Sequence, residues 1–369
     1  MITVTVPLPN PYTAEIERGL VGRVGEVLRR APAHGGRVVV VTTGVVRKLW
    51  GAALEQSLAA EAHPTQVLEM PDGEEHKNLA VLAQLAEAMV GGGADRESLV
   101  VALGGGVVGD VAGMLASIYM RGVDLVQVPT TLVAMIDSAL GGKTGVNLEA
   151  GKNLVGTFYH PRRILVDPAV LATLPEREYR SGMAEAVKYG IIGDAELFAF
   201  MEREAEALGR REAGPLEHLI AACLRQKAAV VAADEREGGL REVLNFGHTL
   251  GHALESATAY RVYRHGEAVA WGMMAAIGIA LRLERVDRDA AERMNVAIRR
   301  LCGPLPAIAV PAEVVLRHAA SDKKARGGVL RFVLPTRIGQ VEVVAGVPRA
   351  VVLEALVETA ATASAPSPG

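Results

Sequence analysis

Residues 99–103, Leu-Val-Val-Ala-Leu, form an unbroken apolar run that ends directly in Gly104-Gly105-Gly106-Val107-Val108-Gly109-Asp110. A short continuous apolar run closed by turn residues suits a strand buried on both faces of a sheet. The glycines contain G-x-G-x-x-G, a turn in which the backbone can approach a pyrophosphate at a helix N-terminus. Alone, the segment reads equally well as a tight strand-to-helix turn. It does not lie in the first βα unit, and no acidic residue stands at the usual distance after it. Its context is more constraining. Residues 38–41, 66–70 and 125–128 are further strand-like runs, and residues 45–61 and 79–90 between them carry helical spacing. Strands alternating with helices imply βαβ units and an open, parallel, Rossmann-like α/β sheet.

After about Pro175 the pattern changes. Residues 195–208, 216–233, 249–257, 268–283 and 289–301 are Ala-, Leu-, Glu- and Arg-rich and read as helices. Residues 329–334 and 340–344, around Pro335 and Gly339, form a candidate hairpin. A chain of 369 residues exceeds one hydrophobic core. The expected division is an α/β domain over 1–170, an α-helical domain over 171–359, and a frayed Ala/Ser/Pro-rich tail over 360–369. Half of the residues are hydrophobic, 22% are charged and the net charge is −3, which excludes disorder and gives no basic surface for nucleic acid or anionic membrane. The two cysteines, Cys223 and Cys302, exclude a disulfide framework and a cysteine zinc module. With no charged leader and no apolar run of about 18 residues, the expected setting is the cytoplasm.

Several constellations carry candidate chemistry. Asp72-Gly73-Glu74-Glu75-His76-Lys77 is a charged turn after a strand, either an ordinary solvated loop or a holder of ribose hydroxyls and phosphate. Gly141-Gly142-Lys143-Thr144 resembles the end of a P-loop, but the earlier glycine of that motif falls at Asp137, so the NTPase reading fails. Lys143, Lys152 and Asn153 still place two cations and an amide in a glycine-rich stretch that suits a small phosphorylated or carboxylated substrate. The strongest signal is Asn245-Phe246-Gly247-His248-Thr249-Leu250-Gly251-His252, with two histidines at i, i+4 on one helical face. His265 follows after a loop, and Glu185 lies upstream in an apolar segment. Two histidines and one carboxylate with an open position form a catalytic zinc set. Lys188, Lys227, Arg241 and the pair Lys323-Lys324 are separately ordinary surface charges; gathered around a metal they would form an anion pocket.

Ten short motifs occur together and in order: residues 72–77, 104–110, Tyr119-Met120-Arg121-Gly122, Val128-Pro129-Thr130-Thr131, 141–144, Gly151-Lys152-Asn153, 183–188, 244–252, His265-Gly266-Glu267 and Asp322-Lys323-Lys324. Over nearly its whole length the chain resembles the 3-dehydroquinate synthase family of sugar-phosphate cyclases. The resemblance implies an N-terminal Rossmann-like domain, a helical C-terminal domain, and NAD and a divalent metal, zinc or cobalt, in the cleft of a cytoplasmic homodimer. It implies Glu185, His248 and His265 as metal ligands. Asp137, Lys143, Asn153, Lys188, Lys227, Arg241, Asn245, His252 and one of Lys323 and Lys324, with Lys324 preferred, match substrate positions, and Arg121 matches one that reaches the phosphate from the neighbouring subunit. Asp72, Glu74, Lys77, Gly104, Gly105, Gly106, Gly109, Asp110, Thr130, Thr131, Lys143 and Lys152 match the NAD site. Thr43, where the family often has Asn or Asp, and Arg261 and Arg264, in the loop before His265, depart from the pattern.

The implied reaction converts 3-deoxy-D-arabino-heptulosonate 7-phosphate into 3-dehydroquinate and phosphate, in the shikimate pathway. It combines transient oxidation by NAD, β-elimination of phosphate, re-reduction and an intramolecular aldol closure. Two other enzymes compete. A related cyclase such as a 2-epi-5-epi-valiolone synthase would tend to carry Asp at Asn245, and a metal-dependent alcohol dehydrogenase would produce NADH and leave the basic cluster without an anion. A non-catalytic nucleotide-binding regulator would need no metal set.

Overall fold

The structure is a computed structural model that describes residues 1–29, 36–324 and 329–362, with backbone only for 321–324 and 362. The Lys323 and Lys324 side chains and residues 363–369 of the expected tail lie outside the described residues. The chain forms two compact units, one of Met1–Leu174 with Ala213–Arg236, the other of Pro175–Glu212 with Glu237–Gly369. A single cut at 170/171 therefore does not describe the chain. The helix Ala213–Ala233 belongs to the first unit because its apolar face, including Leu216, Leu219, Ile220, Cys223, Leu224 and Val231, is buried there. It packs on the first strand and on the helical turn Ala134–Ser138.

In the first unit the strands are β1 (Ile2–Val6), β2 (Tyr12–Ile16), β3 (Val38–Thr43), β4 (Thr65–Met70), β5 (Leu99–Gly104), β6 (Asp124–Pro129), β7 (Lys143–Leu148), β8 (Gly151–Phe158) and β9 (Arg163–Val166). Seven of them form one sheet in the order β1-β2-β9-β6-β5-β3-β4, and β7 and β8 form a separate antiparallel ribbon. Every pairing in the large sheet is parallel except β1 with β2, so the expected parallel sheet gains one antiparallel edge. All residues of β3 and β5 are buried, which explains their uninterrupted apolar sequence. From β3 the chain moves outward to β4 and then returns to the other side of β3 for β5. The carboxyl ends of β3 and β5 thus flank a topological switch point, where open α/β sheets bind ligands. Thr43 and Gly104 stand at those two ends.

The second unit is helical apart from the hairpin Arg331–Arg337/Gln340–Ala345, which matches the expected one within three residues at its ends. At its centre lies the helix His265–Arg282, buried along nearly all its length. Around it pack Glu176–Gly193, His248–Ala257, Arg288–Cys302 and Arg349–Thr362. The expected helix 195–208 is broken at Glu204 into Ala195–Arg203 and Ala205–Gly209.

Candidate active site

In the second unit, helices Glu176–Gly193, His248–Ala257 and His265–Arg282 bring Glu185, His248 and His265 together. Oε1 of Glu185 lies 3.6 Å from Nε2 of His248 and 3.3 Å from Nε2 of His265. His252 joins them, so that ring-nitrogen donors of the three histidines all lie within 4.8 Å of one another. Glu185 is buried (1% exposed), and neither of its carboxylate oxygens completes a hydrogen bond of ordinary geometry. Its Oε2 is 2.5 Å from Nζ of the equally buried Lys188, one turn along the helix. Burial opposes ionisation of Glu185, but the Lys188 ammonium and the two imidazoles outweigh it and hold the carboxyl well below its usual range. Burial takes His248 down to about 3 despite the attraction of Glu185. Burial acts on His265 too, yet the carboxylates of Glu185 and Glu255 on either side of the ring carry it up to about 10.

Close packing sets this geometry. Gly247 sits at φ +79°, a conformation open to glycine, and turns the chain into the helix that His248 begins. Gly266, next to His265, lies so near the helix bearing Glu185 that a Cβ there would fall 1.9 Å from the Ser181 carbonyl oxygen. Its N–H donates to Ser181 Oγ at 2.9 Å. Arg177 grips Glu267 through two bonds of 2.6 and 2.8 Å, and Glu267 accepts from the Arg264 N–H at 2.7 Å, capping the helix His265–Arg282. The ring nitrogens remote from Glu185 are also held: His248 Nδ1 is 3.1 Å from the Phe246 carbonyl, and His265 Nδ1 is 3.2 Å from Oε2 of Glu255. Glu255 was not singled out from the sequence, although it stands three residues after His252 and seven after His248, on the same helical face.

Of the remaining substrate candidates in this unit, Arg241 is buried (3% exposed) on the turn Leu240–Asn245, with Nε 3.8 Å from Glu237, and Asn245 is exposed. In the first unit, Lys227 is buried (4% exposed) on the helix Ala213–Ala233 and donates to both the carbonyl (2.6 Å) and the carboxylate of Asp137. These two candidates, ninety positions apart, therefore pair with each other. Lys143 does not join Lys152 and Asn153. Lys143 opposes Phe158 at one end of the β7–β8 ribbon, whereas Lys152 and Asn153 stand near the other end of β8, six and five positions from Phe158 and so about 16–20 Å away along the strand. Arg121 is exposed on a turn where Met120, Arg121 and Gly122 take φ of +47°, +74° and +122° in succession.

The NAD candidates collect at the carboxyl ends of four adjacent parallel strands: Asp72, Glu74 and Lys77 after β4, Gly104 to Asp110 at β5, Thr130 and Thr131 after β6, and Thr43 at β3. The helix Gly106–Ile118 starts directly after β5, and its N-cap, Gly105, makes no side-chain capping bond. Gly109 lets that helix approach β6, since a Cβ would come within 2.9 Å of the Gln127 side chain. Lys77, 3% exposed, bonds to the Asp110 carboxylate and to Asn153 Oδ1 at 2.6 Å. Asn147, missed in the sequence, ties these parts together. Its amide donates to Glu74 Oε1 and its Oδ1 accepts from the Asn153 N–H, both at 2.8 Å.

Residues 67–181 match the family model for the 3-dehydroquinate synthase N-terminal region, and residues 182–325 match that for its C-terminal region. The 3-dehydroquinate synthase of Koribacter versatilis is 49% identical over 340 residues, covering 90% of this chain and 93% of the relative. The chain belongs to the 3-dehydroquinate synthase family. Two solved structures extend the likeness to other sugar-phosphate cyclases. A 2-epi-5-epi-valiolone synthase from Streptomyces hygroscopicus, with NAD+ and Zn2+ bound, is 29% identical with a TM-score of 0.87, covering 95% of this chain and 97% of that one. A 2-deoxy-scyllo-inosose synthase, complexed with carbaglucose-6-phosphate, NAD+ and Co2+, is 27% identical with a TM-score of 0.86, covering 97% and 100%.

Within the 3-dehydroquinate synthase family the departures in this chain have local explanations. The Thr43 hydroxyl accepts from the Val46 N–H at 3.4 Å, the N-cap contact that Asn or Asp also makes. Arg264 pairs with Glu178 at 2.7 Å, which fastens the loop before His265 to the helix that carries Glu185.

Proposed function

We propose that the chain converts 3-deoxy-D-arabino-heptulosonate 7-phosphate into 3-dehydroquinate and phosphate, the reaction named for its family, with NAD and a divalent metal. The observation that carries this reading is the meeting of Glu185, His248 and His265. Zinc ligands at about 2.0–2.1 Å in a tetrahedron stand about 3.3–3.4 Å from one another. The Glu185-to-histidine separations of 3.3 and 3.6 Å fit that edge. Oε1 of the buried Glu185, which faces both histidines while Oε2 meets Lys188, also suits a cation. The three residues would hold the ion, while Gly104–Gly106, Glu74, Lys77, Asp110, Thr130, Thr131 and Lys152 would hold NAD. When bound, NAD reversibly accepts hydride, and the ion supplies Lewis acidity.

The chain's own residues bind and orient. Lys188, Arg241, Asn245, His252 and Lys324 in the second unit, and Asp137, Lys143, Asn153 and Lys227 in the first, are the proposed substrate groups. Buried cations such as Arg241 and Lys227 suit a dianionic phosphate and a carboxylate, whose desolvation needs fixed opposite charge. A cytoplasmic homodimer completes the proposal, with Arg121 of the partner subunit reaching the phosphate. Met120 and Arg121, both non-glycine residues at positive φ on this exposed turn, support a functional position there, because such strain gathers at functional sites.

The deciding experiment is phosphate release from the heptulosonate phosphate with trace NAD. Many turnovers per NAD without net NADH are expected, with loss of activity on chelation and recovery with zinc or cobalt. Steady NADH accumulation would replace the reading with a dehydrogenase. Near-wild-type kcat/KM in both Arg241→Ala and Lys227→Ala would remove the proposed substrate pocket.

A further inference from the structure

We propose that Glu255 is a positioning residue that orients His265 and selects its tautomer, and so sets the affinity of the metal centre. This rests on the reading that Glu185, His248 and His265 hold a divalent ion. His265 is the first residue of its helix, where the side chain has no preceding helical turn against which to pack. Its ring is held instead between two buried carboxylates, with Nε2 3.3 Å from Glu185 Oε1 and Nδ1 3.2 Å from Glu255 Oε2. Glu185 and Glu255 are only 1% and 5% exposed. An ionised carboxylate only accepts. Binding an ion requires the imidazole to give up one proton, and when the N–H that remains points at Glu255 the Nε2 lone pair faces Glu185 and the other ligands. If the proton sits on Nε2 instead, the nitrogen that faces the cluster cannot bind a metal.

His248 is held differently. There the same service comes from a backbone oxygen, the Phe246 carbonyl, 3.1 Å from Nδ1. At His265 it comes from a side chain and is open to substitution. The placement of Glu255 follows from helical spacing, since positions 248, 252 and 255 share the face of His248–Ala257 that packs on the helix His265–Arg282. Partners of this kind, one shell outside the ligands, typically contribute roughly 10–100-fold to metal affinity.

The test uses full-length protein stripped with a chelator and titrated with zinc against a chromophoric competitor, in wild type, Glu255→Gln and Glu255→Ala. Cobalt-substituted samples supply visible absorption bands as a report on ligand geometry. A roughly 10–100-fold weaker zinc Kd and altered cobalt bands are expected in Glu255→Ala. A smaller loss is expected in Glu255→Gln, whose amide oxygen still accepts. The glutamine variant, close in shape, carries the test if the alanine variant does not fold. Wild-type zinc affinity and unchanged cobalt bands in the folded variants, even with a lowered Tm, would overturn the proposal and leave Glu255 a packing residue. Wild-type protein that binds no zinc, or binds it equally after Glu185→Ala, would instead overturn the metal reading and this inference with it.

Discussion

Replacing Gly266 by alanine should separate the two helices that carry Glu185 and His265. The added Cβ would stand 1.9 Å from the Ser181 carbonyl oxygen, where side chains in proteins keep at least 3.0 Å. The obstruction is backbone, so no rotamer change relieves it, and the helices must part locally by about 1 Å. Overpacking of this kind costs about 1–3 kcal/mol. Loss of the Gly266 N–H to Ser181 Oγ bond adds about 1 kcal/mol, and replacing a helical glycine returns up to about 1 kcal/mol. A net cost of about 2 kcal/mol corresponds to a Tm lowered by roughly 4–8 °C in a unit of this size. The parting also moves His265 away from Glu185, so zinc affinity should fall at least about tenfold, as for other disturbances of ligand orientation. Differential scanning calorimetry and a zinc competition titration measure the two effects. Gly214→Ala, also in a helix, is the control, because nothing lies within 4 Å of its Cβ direction; it should be neutral or stabilising by up to about 1 kcal/mol. A Gly266→Ala protein with wild-type Tm and wild-type zinc affinity would refute the link between helix approach and metal site.

Asn147→Ala removes two side-chain bonds that join Glu74 to Asn153, and should weaken NAD binding several-fold, read by calorimetric titration, while stability in denaturant titrations falls by no more than about 2 kcal/mol. Unchanged NAD affinity would show that the ribbon does not support the nucleotide turn. Cys302 is buried, and burial pushes its thiol up to about 12, so at pH 8 only about one molecule in ten thousand carries the thiolate. Iodoacetamide should therefore leave Cys302 unmodified in the native protein and alkylate it after denaturation; rapid native labelling, found by peptide mass spectrometry, would contradict the burial. Arg177→Ala leaves the buried Glu267 without its two-bond partner and should lower stability by about 1–3 kcal/mol in denaturant titrations, with an unchanged midpoint as the contrary result.

Much of the fold was legible because its signals are local. The buried run before Gly104 marks a parallel strand whatever surrounds it, and Pro335 with Gly339 marks a turn between two strands. The i, i+4 histidines needed only a helix from residue 248 to share a face, and the helix begins there. Site features legible only in three dimensions depend on contacts between distant segments. Lys227 meets Asp137 because the helix Ala213–Ala233 crosses to the first unit, which a linear reading of helical composition cannot show. The separation of Lys143 from Asn153 comes from ribbon register, although ten positions in sequence suggested one cradle.

The sequence by itself determined the alternation of strands and helices, the glycine turn after β5, and the residue types needed for a metal and for anions. Those follow from periodicity, backbone conformation and ligand chemistry, which act over a few residues. Tertiary structure decided which of these groups meet. The 1.9 Å that excludes any side chain at Gly266, the placement of Glu255 behind His265, and the pairing of Lys77 with Asp110 all arise from helices and strands packed at distances no local rule sets. Burial then sets the charges: the same carboxyl group that would be an ordinary surface acid is, at Glu185, enclosed among Lys188, His248 and His265 and held ready for a cation.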